Sequence, residues 1–146
     1  MSSVQPTNPG VLRCALVVLG SFVAGSVVVS AVQAVNYALF PPPEGLDYRD
    51  PKQLERIVDA MPQGALWMLE LSYALGSFVA GVVTAASVRG RRLTIAMIVG
   101  GIFTVLGFVN LTQFPAPLWL AVLTTLTYVP ATLAGSLAFA RLRRPG

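Results

Sequence analysis

The chain has no histidine and a single cysteine, Cys14. These absences exclude an internal disulfide, a Cys-x-x-Cys redox pair and the usual His/Cys zinc cages. Charge is scarce as well, at 11% of residues, against roughly 25% in an ordinary soluble domain. No charged side chain lies between Arg13 and Glu44, and none interrupts the stretch from Leu93 to Ala140. A catalytic centre needs a converging nucleophile, base and orienting group. The apolar stretches hold one acid, Glu70, and neither lysine nor histidine. We therefore expect no enzyme, no catalytic residue, no metal site and no cofactor.

Apolar length is what the chain has in quantity, with 55% hydrophobic residues. A membrane helix needs roughly 20 such residues at about 1.5 Å each. Four spans satisfy this, at about 11–33, 64–88, 93–113 and 118–140. The expected fold is all-α, an integral membrane four-helix bundle forming a single membrane domain over residues 1–146. A secretory signal competes for the first span, since Arg13 would close a charged n-region and "VQA" ending at Ala34 resembles a cleavage site. The apolar run from Cys14 to Val32 is too long for an h-region of roughly 7–15 residues, which favours an uncleaved helix. Pro130 falls inside the fourth span, where it removes a backbone hydrogen bond and is expected to kink the helix.

Between the first two spans lies "FPPPEGLDYRDPKQLERIVDAMPQG", which holds half of the chain's charges. Pro41 to Pro43 favour an extended segment. Asp50, Pro51 and Gln53 read as an N-cap, a first-turn proline and a capping box. Leu54, Ile57, Val58 and Met61 then recur at helical spacing, predicting a short amphipathic helix over about 51–61. Its apolar stripe could lie on the membrane surface or cap the end of the bundle.

Net charge is +4. In a soluble protein that would suggest nucleic acid, whose phosphates a basic patch neutralises. Here the arginines sit at span ends, so topology explains them better and no nucleic-acid partner is expected. With both termini cytoplasmic, Arg13, Arg89, Arg91, Arg92, Arg141, Arg143 and Arg144 all fall inside. Only Arg49, Lys52 and Arg56 are then outside, with the acids of the first, extracytoplasmic loop. The expected location is the inner membrane, with lipids as partners and a second copy or another membrane protein as a further one. Trp67 and Trp119 sit near outer span ends, where aromatic rings anchor among headgroups.

The heptapeptide "LGSFVAG" occurs twice, at Leu19 to Gly25 and at Leu75 to Gly81. Each copy sets small residues four apart: Gly20 with Ala24, Ser21 with Gly25, Gly76 with Ala80, and Ser77 with Gly81. Such strips let backbones approach closely, and close approach holds helices together where lipid removes the hydrophobic incentive. Gly100, Thr104 and Gly107 continue the pattern in the third span, as do Ala131, Gly135 and Ala138 in the fourth. Shared packing explains the repeat most economically. An inverted duplication of the transporter kind and a ligand site at the copies are the alternatives.

Chemistry, if any, centres on Glu70, roughly 9 Å along its helix from the loop end at 1.5 Å per residue. Tyr73 shares its face, while Asn110, Thr124 and Thr125 should lie at similar depth and Gln33 and Asn36 close the first span on that side. Together these groups could form one polar pocket. Desolvation works against a carboxylate there, and an intramembrane acid is a candidate for proton or cation handling. The competing reading is structural, with Glu70 reaching water or bonding Asn110. Cys14, beside Arg13, reads as an inert small residue.

The plan "YALGSFVAG…AASVRGRR" followed by "NLTQFPAPLW" resembles small bacterial four-helix inner-membrane proteins to which no function is attached. The resemblance covers most of the chain, rests on packing glycines and turn prolines, and implies no functional residue. Small multidrug transporters share the size class, but their essential glutamate lies in the first helix, where this chain has no acid. Fluoride channels have a phenylalanine-bearing third helix, superficially like "GGIFTVLGF". They insert in both orientations, which the arginine bias here opposes.

Overall fold

The computed structural model describes residues 9–41, 44–45, 50–88, 90–113 and 115–143. Among them are five helices: α1 (Pro9–Leu39), α2 (Pro51–Ala60), α3 (Gln63–Ser87), α4 (Arg92–Gln113) and α5 (Leu118–Leu142). Asp47, Arg49, Arg89, Arg144 and most of the proline run at 41–43 lie outside the described residues. All of these helices except α2 are long and apolar enough to cross a membrane.

Prolines set most of the ends. Helix α1 runs past the expected limit at Gln33 to Leu39, because neither Gln33 nor Asn36 breaks a helix. It stops where Phe40 precedes Pro41, a position at which the proline ring disfavours helical backbone. Asp50 starts α2: its carbonyl accepts the N–H groups of Gln53 and Leu54 (both 3.0 Å), and its carboxylate accepts the Gln53 side-chain amide at 2.9 Å. Ile57 and Val58 are buried by protein while Glu55, Arg56 and Asp59 remain exposed. Pro62 and Pro117 accept the first N–H groups of α3 and α5. Helix α5 continues through Pro130, which lies on an exposed face.

Burial is inverted relative to a water-soluble bundle. The fully buried side chains are mostly small, including Ser21, Ser72, Ser77, Thr84, Thr124, Thr132 and Ser136, whereas Leu16, Val27, Val105, Leu118 (81% exposed) and Leu126 face outward. Large apolar side chains outside and small ones inside suit hydrocarbon as the solvent, because lipid tails are as apolar as leucine and only close packing distinguishes protein from lipid. The protein is thus an all-α chain with four candidate membrane helices.

Helix α3 is the hub. It packs on α1 along one side and on α5 along the other, while α4 packs chiefly on α5. The two LGSFVAG copies meet each other: a Cβ added at Gly25 would lie 2.7 Å from the Gly76 carbonyl oxygen, and one at Gly76 the same distance from that of Gly25. Ala80 also borders Gly25, and Thr84 donates a buried hydrogen bond to Ser21 at 2.9 Å. The second copy is used twice, since Gly81 abuts the Thr132 carbonyl of α5 and Gly135 abuts the Phe78 carbonyl of α3. Gly100 rests on Val129, with 3.0 Å from its would-be Cβ to the Val129 Cα. Gly107 lies under the Tyr128 ring. Gly20 differs from its counterpart Gly76, for nothing lies within 4 Å of its would-be Cβ. Helix α1 packs mainly on α3 and to a lesser extent on α4, with Ser21 and Gly25 on its contact strip; Gly20 is exposed and Ala24 half-buried.

Candidate functional site

Glu70 sits two turns into α3 and is 6% exposed. Thr124 donates to its Oε2 at 2.5 Å and Thr127 to its Oε1 at 2.6 Å, so both carboxyl oxygens are tied to α5. Threonine suits this position because its branched side chain keeps the hydroxyl close to the helix, where it can also bond the carbonyl one turn back. Thr127 does this as well, with Oγ1 at 2.9 Å from the Leu123 carbonyl. Its single hydroxyl hydrogen is therefore shared between Leu123 and Glu70.

Thr127 was not among the residues singled out from sequence. Its spacing held the signal: it lies three residues beyond Thr124, on the same helical face. Thr125, which was singled out, turns away from Glu70. Its hydroxyl donates to the Ala121 carbonyl at 2.8 Å, and it lines an apolar groove with Phe108, Leu111 and Leu126 on the outside of α4 and α5.

The remaining polar residues gather beside the carboxyl rather than around it. Tyr73, one turn beyond Glu70, has Gln33 and Asn110 as side-chain partners for its hydroxyl. It lines a cleft of about 210 Å³ between α1 and α4, with Ser26, Ser30, Asn110 and Tyr128 among the other walls. Aromatic rings floor this cleft in a row: Phe22 to Phe103 at 4.9 Å, Phe103 to Tyr128 at 5.9 Å, and Tyr128 to Tyr73 at 5.8 Å between centroids. Asn36 stands apart, its amide donating to the Ala65 carbonyl at 3.1 Å, so it fastens α1 to the start of α3. Its Oδ1 is buried without a partner among the described residues.

Two adjacent compartments result. One is the closed carboxyl–threonine clamp between α3 and α5; the other is the tyrosine-walled cleft between α1 and α4. Tyr73 lies one turn from Glu70 on α3 and Tyr128 directly follows Thr127 on α5, and their rings, 5.8 Å apart, stand at the partition. Among the described residues no group of three His, Cys, Asp or Glu side chains is arranged to hold a metal ion. Cys14 is a free, exposed cysteine. At the loop end, the Trp67 and Trp119 rings pair at 5.2 Å, joining α3 to α5 above the clamp.

The fold and site define a membrane-type helical bundle with a buried interhelical carboxyl. Compared with known proteins, the chain matches no family model, no curated protein and no solved structure.

Proposed function

We propose that the chain is a multi-pass protein of the bacterial inner membrane, with both termini cytoplasmic, that serves as a non-enzymatic accessory or scaffold. The observation that carries this reading is the occupation of both Glu70 oxygens by threonine hydroxyls from one neighbouring helix. A carboxyl held in this way fastens two helices in a medium that gives them little other reason to associate. The glycines Gly25, Gly76, Gly81, Gly100, Gly107 and Gly135 are engaged within the chain. A second copy or another membrane protein would therefore dock on the open side of α1 that carries Gly20, which lipid otherwise covers.

One observation favours a second reading, a small proton- or cation-coupled transporter or channel using Glu70. The Thr127 hydrogen has two acceptors, and the tyrosine-walled cleft stands next to the clamp. Flux measurements in reconstituted vesicles separate the two. As a scaffold, neither the unaltered chain nor Glu70→Gln should dissipate an imposed pH gradient faster than protein-free vesicles do. Dissipation by the unaltered chain that Glu70→Gln removes would replace the scaffold reading with the transporter.

A further inference from the structure

The end of the bundle opposite α2 carries a second polar feature that neither Glu70 nor the packing seams use. A cavity of about 370 Å³ opens there between the start of α4, the end of α5 and the end of α3. Arg92 of α4 and Arg143, just past α5, both line it, and its remaining walls are small or apolar: Ala85, Ala86, Val88, Phe139 and Ala140. The Arg143 guanidinium lies 5.0 Å from the centroid of the Phe139 ring. Stacking on an aromatic face orients an otherwise mobile cation and leaves its hydrogen-bond donors free to face a ligand.

No Asp or Glu side chain answers these two charges. Every Asp and Glu of the chain falls between Glu44 and Glu70, and Glu70 is about 25 Å along α3 from Ser87 at 1.5 Å per residue. Positive charges collected at a helix end are sufficient to orient a membrane protein. Orientation alone, however, does not require an arginine of α4 and one just past α5 to share one cavity, or one of them to be braced by a ring.

We propose that this cavity receives the phosphate diester of an anionic phospholipid, with Arg92 and Arg143 as its cationic walls. The level of the cavity, at the end of the candidate membrane helices, is that of the headgroups. Its apolar walls suit the glycerol and upper acyl carbons that follow the phosphate, and would offer nothing to a free phosphate ion.

The test is native mass spectrometry of the full chain released from lipid discs containing equal phosphatidylglycerol and phosphatidylcholine. The unaltered chain should retain phosphatidylglycerol preferentially. Arg92→Gln and Arg143→Gln should each lower that preference roughly fivefold, the effect of about one headgroup–arginine contact. Arg141→Gln removes the same charge from an exposed side chain outside the cavity and should leave the preference unchanged. Arg143→Lys keeps the charge and loses the planar fork, so it should give an intermediate loss even if a glutamine variant fails to fold. Equal losses in Arg141→Gln and Arg143→Gln would show that total charge alone governs retention and would overturn the proposal. Release of the lipid by millimolar inorganic phosphate would overturn the assignment to a lipid.

Discussion

Gly81→Ala and Gly135→Ala are expected to destabilise the bundle, by about 2–3 kcal/mol each, while Gly20→Ala leaves it unchanged or slightly more stable. A Cβ at position 81 would run into the Thr132 carbonyl, and one at position 135 into the Phe78 carbonyl. Backbone atoms at the centre of two packed helices cannot step aside as the tip of a flexible side chain can. Relief requires α3 and α5 to separate along their shared seam, which forfeits close contacts on both sides of each glycine. Gly20 has the same neighbours in sequence as Gly76 but nothing within 4 Å in space. There an added methyl meets no protein atom and brings the higher helix propensity of alanine, worth up to about 1 kcal/mol. Unfolding in mixed detergent micelles, followed by helical circular dichroism, measures the difference. Equal effects at Gly20 and Gly81 would contradict the assignment of α3 as the hub.

The second large effect lies at the carboxyl clamp and is asymmetric. Thr124→Val together with Thr127→Val should cost about 2–4 kcal/mol, because two buried acceptor oxygens lose their donors. Glu70→Ala should cost less, about 1–2 kcal/mol for the interhelical hydrogen bonds themselves, since the threonines can turn back to their own helix. Thr127 already has the Leu123 carbonyl within 2.9 Å. Adding Glu70→Leu to the double valine variant should then recover most of the loss, as replacing all partners with apolar groups of similar shape is nearly neutral. The same micelle unfolding assay reads all three variants. If the triple variant is no more stable than the double, the oxygens of Glu70 have other satisfaction and the clamp is not what holds α3 to α5.

The long helices were legible because apolar length is a strong signal, and the glycine strips because small residues at four-residue spacing have a packing meaning in lipid. Which face of each helix would be used was harder to read. In water, the contrast between polar and apolar faces points a helix at its core. In hydrocarbon both faces are apolar and that contrast vanishes, so Gly20 and Gly25 look equivalent until the neighbours of α1 are known. Thr125 and Thr127 present the same difficulty. Their depths are nearly equal, and only the rotation of α5 against α3 decides which one meets Glu70. Gln33 looked like the end of a helix because it is polar, but polarity does not terminate a helix and Pro41 does. The convergence of Glu70 with Thr124 was readable from depth alone, as was the company of Tyr73, Gln33 and Asn110. That these fall into two compartments, divided by the aromatic row, depends on side-chain packing that no spacing rule encodes.

Position-specific thiol labelling in a Cys14→Ser background tests the central claim most directly, that the helices cross a membrane with their arginine-bearing ends in the cytoplasm. Glu55→Cys in α2 and Gly90→Cys between α3 and α4 are both at exposed positions. A membrane-impermeant maleimide added to intact spheroplasts should label Glu55→Cys, and should reach Gly90→Cys only after the membrane is permeabilised. Labelling of both positions before permeabilisation, or of Gly90→Cys alone, would contradict the account.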